Sequence, residues 1–137
     1  MAVVEELLRS EADGTISFGN HKLEKKAKVQ DYQHAGDLLK VKTCREITKL
    51  EKNGMFLYES VPGTSVLNFA EKEDGVEFIV EGDEDAQITI GLTDDRAYEV
   101  FVDGRSIGAI KTGFGGKLSL SVEIGAADEV PVKVVQI

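Results

Sequence analysis

Two carboxylates flanking a sugar ring can hydrolyse a glycosidic bond, and this 137-residue sequence offers 25 acids to choose from. Glu77 and Glu81 fall on one face of the strand-like run Val76-Glu77-Phe78-Ile79-Val80-Glu81, its wetter face, but too far apart to be neighbours on that strand. Nothing in the pattern sets an acid among apolar groups, which is what raises a catalytic carboxyl's pKa. Asp83-Glu84-Asp85 and Asp94-Asp95 are the densest acidic spots. Loops at one end of a β-sandwich would gather Asp83, Asp85, Asp94 and Asp95 as oxygen ligands for calcium. No EF-hand spacing accompanies them, and solvated loops are the expected role. His21, His34 and the single Cys44 lack zinc-site spacing; Cys44 reads as a small apolar residue in a strand, and one cysteine excludes an intrachain disulfide. There is no Gly-x-Ser-x-Gly elbow and no usable Ser, His or Cys triad. Gly113-Phe114-Gly115-Gly116-Lys117 resembles a phosphate loop only superficially, because Leu118 stands where Ser or Thr is needed; a hairpin loop is expected. No catalytic, cofactor-binding or metal-ligating residue is therefore assigned.

These residues must be positioned by strands. Tyr98-Glu99-Val100-Phe101-Val102-Asp103-Gly104-Arg105-Ser106-Ile107-Gly108-Ala109-Ile110 alternates on both sides of Asp-Gly, a hairpin signal between half-buried strands. Asn53-Gly54 separates Glu46-to-Lys52 from Met55-to-Val61, and Asp74-Gly75 separates Thr64-to-Phe69 from Val76-to-Val80. Pro62-Gly63 suits a type II turn. Leu39, Val41 and Thr43 share a face, as do Ile88, Ile90 and Leu92, and Leu118, Leu120 and Val122. Val130, Val132 and Val134 alternate too, with Pro131 marking an edge or a strand start. Residues 1–10 fit either a helix or the first arm of a hairpin around Asp13-Gly14, and the local turn signal favours the hairpin. About ten short strands are expected, in one all-β domain over residues 1–137: an antiparallel β-sandwich or jelly roll, with a barrel as the alternative.

The formal charge is -9, from 25 acids against 16 bases. That opposes phosphate backbones and acidic membranes, so neither nucleic acid nor membrane is expected as a partner. No apolar run approaches the ~20 residues that span a bilayer. Glu5 and Glu6 stand where a secretory signal needs positive charge, and the expected location is cytoplasmic.

The aromatics bear on ligands. There is no Trp to stack on sugars; Phe18, Phe69 and Phe78 read as core, while Tyr32 and Tyr58 read as exposed. Phe101 shares a wet face with Glu99 and Asp103, which implies either a second buried surface, shared with Ile79, or a covering loop.

Two resemblances follow. The stretch from Tyr98 to Gly108, with Lys111-Thr112 and Gly116-to-Val122, resembles C-terminal β-sandwich modules of bacterial glycan-processing proteins. Glu11-to-Asn20 and Leu50-to-Thr64 carry a likeness to small uncharacterised all-β proteins of anaerobic Gram-positive bacteria, some labelled endosialidase. Familiar sialidases use an arginine triad and Ser-x-Asp-x-Gly-x-Thr-Trp boxes; this chain has four arginines and no such box, so no residue is carried over. The expected function is a non-catalytic binding or assembly domain, self-associating into a homo-oligomer, with a glycan or protein ligand. The alternative is a glycan-acting hydrolase or carbohydrate-binding module.

Overall fold

The computed structural model describes residues 3–125 and 129–137; the first two residues of the N-terminal segment lie outside them. Among the described residues thirteen strands form a β-sandwich, rather than about ten. They are β1 (Leu8–Ser10), β2 (Ile16–Phe18), β3 (Ala27–His34), β4 (Asp37–Thr43), β5 (Thr48–Lys52), β6 (Met55–Val61) and β7 (Ser65–Lys72). There follow β8 (Gly75–Glu81), β9 (Ala86–Gly91), β10 (Ala97–Val102), β11 (Arg105–Lys111), β12 (Lys117–Val122) and β13 (Val130–Gln136). A seven-stranded antiparallel sheet runs β1-β2-β7-β8-β13-β10-β11, and a six-stranded one runs β12-β9-β6-β5-β4-β3.

Alternation places the core. Val76, Phe78 and Val80 of β8, Val130, Val132 and Val134 of β13 and Val100 of β10 point inward and meet Val41, Leu50, Ile88, Ile90, Leu118 and Leu120 from the other sheet. Phe18, Tyr58, Phe69 and Phe78 fill the centre, with Phe18 and Tyr58 edge-to-face at 5.2 Å and Phe69 stacked on Phe78 at 5.5 Å. Tyr58 is thus fully buried, not exposed, and Tyr32 is half-buried.

Two of the three hairpin turns form as read; in the third the turn residues are Glu73 and Asp74, and Gly75 is already in β8, paired with Lys72. Asp103-Gly104 and Asn53-Gly54 each supply two successive positive φ values, as a type I′ turn requires. The N-terminal segment pairs as a strand, Leu8 opposite Phe18. Pro62-Gly63 is not a type II turn: the Val61–Pro62 peptide is cis, and Gly63 is not among the positive-φ glycines. Gly63 is required for another reason, since a Cβ there would lie 1.8 Å from the Cys44 carbonyl oxygen. Cys44 is buried, but in the bend after β4 rather than in a strand. Pro131 is a strand start and not an edge, because β13 lies between β8 and β10. The Gly113–Lys117 segment does not join a hairpin; it crosses from β11 in one sheet to β12 in the other. β11 is not half-buried: it is exposed along nearly its whole length at a sheet edge, with Ile107 at a bulge where Val100 pairs Gly108 and Phe101 pairs Ser106.

Candidate functional site

Outward-facing positions of four neighbouring strands make an apolar strip on the seven-stranded sheet. Leu67 of β7 pairs Ile79 of β8, and Ile79 pairs Pro131 of β13. Phe101 of β10 pairs Lys133, so its ring is the diagonal neighbour of Pro131. Phe78 and Val132, one residue along, are buried in the core, so Ile79 and Pro131 must face out. A bulge at Asn68, with φ of 54°, breaks the register between Leu67 and Ala70 and turns Phe69 inward. The result is an open groove of about 540 Å³ with Phe101, Ile79 and Pro131 as floor and Asn68, Glu77 and Lys133 at its border.

The charges bordering the groove neutralise each other. Glu77 takes Lys72 at 2.7 Å and Lys133 at 3.6 Å. The hydrogen bond from Lys72, and the positive charges of Lys72 and Lys133, hold its carboxyl below the ordinary carboxylate range. Phe101 is half-buried in this groove, which bears on the alternatives of a second buried surface and a covering loop: its ring is a lining of open space.

A second constellation lies where β2, β4, β6 and β8 end. Hydroxyls knit these loops together: Thr43 Oγ1 meets Thr48 Oγ1 at 2.8 Å, the Thr48 hydroxyl donates to the Thr64 carbonyl at 2.7 Å, and Thr64 Oγ1 meets both Tyr58 Oη (2.8 Å) and Ser60 Oγ (2.7 Å). All five residues are buried. Burial raises the Tyr58 phenol pKa well above its ordinary value. Beside this network His21 Nδ1 meets Ser65 Oγ at 2.7 Å, and His21 Nε2 faces Asp83 Oδ1 at 3.8 Å. The fold therefore does bring a serine, a histidine and an aspartate together. Ser65 is fully buried, however, so its hydroxyl is a structural partner of the ring and not a presented nucleophile.

The other residues singled out in the sequence are dispersed. Asp83 and Asp85 precede β9 while Asp94 and Asp95 follow it, and six strand residues hold the two groups about 20 Å apart, at opposite ends of the sandwich. Asp85 accepts the Ile124 backbone N–H at 2.9 Å, and Asp95 pairs Lys111 at 3.2 Å. No cluster of three metal-binding side chains occurs among the described residues. Glu77 is on the wetter face, but Glu81 is not: it is 2 % exposed. His34 is at the far end of β3, with its Nδ1 2.8 Å from Ser10 Oγ.

Sequence reasoning singled out Phe101 and Ile79, which both line the groove, but missed the His21 pocket, whose members are spread from residue 21 to residue 84 with no common motif. Comparison with protein-family models, with curated proteins and with solved structures finds no match to this chain.

Proposed function

We propose that this chain is a non-catalytic binding and assembly domain that self-associates through the outer face of the seven-stranded sheet. The observation that carries this reading is the strip formed by Leu67, Ile79, Pro131 and Phe101, an apolar lane across four strands with its bordering charges already paired. Such a surface gains by leaving water, at roughly 25 cal/mol for each Å² covered. A second copy brings the same strip, so two strips related by a two-fold axis can cover each other. The acids also support a binding rather than a reacting role. Glu11, Asp13, Glu77 and Asp83 are all held below the ordinary carboxylate range, by Ser17, Thr15, Lys72 and Lys22 respectively as the leading cause. Carboxyls of that kind make ion pairs and hydrogen bonds; a general acid needs the opposite shift.

Size-exclusion chromatography with light scattering tests the reading. The expected result is a dimer or larger species at tens of micromolar, converted to monomer by Phe101→Glu. A wild-type monomer at about 100 μM, well above a ~1 μM Kd, or an assembly indifferent to Phe101→Glu, overturns it.

A further inference from the structure

His21 is 1 % exposed, and its Nε2 has no hydrogen-bond partner. A buried polar atom left unpaired costs about 1–3 kcal/mol, so a native fold seldom keeps one without use. Ser65 Oγ accepts the His21 backbone N–H at 3.4 Å and lies 2.7 Å from His21 Nδ1. In the tautomer that gives the Ser65 hydroxyl proton an acceptor, Nδ1 accepts it and the ring N–H is on Nε2. Burial favours the neutral ring, against the pull of Asp83. In that tautomer the unpaired group is a neutral N–H donor on a residue lining a pocket of about 290 Å³ at the loop end of the sandwich, covered from the pocket side by Asp83 at 3.8 Å, so that a ligand reaches it by displacing that carboxylate.

The remainder of the pocket says what would accept from it. Lys22 and Arg45 offer donors only, and Asp83 and Glu84 offer acceptors only. Their formal charges cancel, and the chain as a whole carries -9, so the site has no surplus attraction for an anion. Asp83 stands off the ring because Lys22 holds its Oδ1 at 2.5 Å; both side chains are 47 % exposed, so this pair is easily rearranged. The Arg45 guanidinium pairs loosely with Glu24 at 3.9 Å. Pro62 and Gly63 provide an apolar wall against which C–H groups can lie. The group that can accept from Nε2–H or a guanidinium and donate to a carboxylate, all from one uncharged atom, is a hydroxyl. Several adjacent hydroxyls on a compact carbon skeleton satisfy the whole rim at once.

We propose that this pocket is a binding site for a neutral polyhydroxylated ligand, a saccharide, one of whose hydroxyl oxygens accepts from His21 Nε2–H while neighbouring hydroxyls bridge Asp83 and Arg45. The site is separate from the Phe101 groove and stands or falls independently of self-association.

The test is NMR of the histidine ring nitrogens in the full chain, titrated singly with glucose, galactose, mannose and N-acetylglucosamine, and in parallel with sodium acetate, inorganic phosphate and glycine. The expected result is a saturable shift of the His21 Nε2 resonance with at least one neutral sugar, at a Kd of ~1–10 mM. His34, half-buried at the end of β3 with both ring nitrogens already hydrogen-bonded, serves as the internal control and stays unmoved. Arg45→Ala and Asp83→Ala, both at exposed or half-exposed positions, weaken that binding at least tenfold while leaving the backbone spectrum folded. No response to any sugar at about 100 mM overturns the proposal in favour of an ordered water on Nε2. A response to acetate, phosphate or glycine in place of the sugars overturns the ligand class. A sugar response that survives both variants overturns the site.

Discussion

The groove around Phe101 and the pocket around His21 are built from different materials. The groove is made by strands: its floor residues alternate with core residues, so each is exposed because its neighbours are buried. The pocket is made by loops: its members come from four separate connections, held by the hydroxyls of Thr43, Thr48, Ser60 and Thr64. In the first region the hydrophobic effect sets the surface and tolerates change at its exposed side. In the second, hydrogen bonds set it, and one missing partner leaves another buried group unsatisfied. Polar construction should therefore be the more fragile of the two.

Thr64→Val is the severest test of that contrast. It keeps the side chain's shape but removes the hydroxyl shared by Tyr58 Oη and Ser60 Oγ, leaving those two only each other. With ~1–3 kcal/mol for each stranded group, a loss of ~3 kcal/mol is expected from urea unfolding at unchanged m-value. A change below ~1 kcal/mol would show the hydroxyl network to be replaceable.

Gly63→Ala comes next. Its new Cβ would strike the Cys44 carbonyl oxygen at 1.8 Å, and a backbone atom cannot swing aside as a side chain can. About 1–3 kcal/mol of destabilisation is expected, of the size seen for overpacking, together with displaced amide resonances in the pocket loops.

The pH dependence is smaller and has a definite sign. Burial lowers the folded-state pKa of His21, so the unfolded chain takes up this proton first as pH falls. Stability is then fully present above the unfolded histidine value of about 6.5 and declines below it, until pH reaches the folded pKa, with a slope of at most ~1.4 kcal/mol per pH unit. Asp83, whose pKa is depressed chiefly by Lys22, acts in a separate and more acid window. Thermal melts between pH 7 and 5 should show this decline in the wild type and a flatter profile in His21→Gln. Equal slopes in the two proteins would remove His21 from the account.

Phe101→Ser should have the least effect on the monomer, under ~1 kcal/mol by chemical denaturation, because the ring is half in water already and outside the core. A loss of several kcal/mol would instead make Phe101 part of the core, and the contrast between the regions would collapse.

Much of the sandwich was legible from local pattern, and the failures have local causes. β3 was missed because a bulge at Asp31, with φ of 58°, shifts its alternation: Ala27 and Val29 turn inward on one parity, Tyr32 and His34 on the other. The inward sequence therefore never reads as period two. β11 misled in the opposite way: the sequence alternates, but the strand has a bulge at Ile107 and is exposed along nearly its whole length at the sheet edge. Glu81 keeps the outward parity of Glu77 yet is buried at the end of β8, where Ser65 pairs with it.

By itself the sequence determined the all-β class, the hairpin turns at Asn53-Gly54 and Asp103-Gly104, and the inward and outward residues of most strands. Those depend on φ preferences and side-chain parity over a few adjacent residues, which any stretch of chain carries within itself. Only the tertiary structure decided that Asp83 and Asp94 part to opposite ends, that Gly63 meets Cys44, and that His21 finds Ser65 across 44 positions. Contacts at that separation are set by strand order and sheet pairing, and no local periodicity encodes which loops will close on one another.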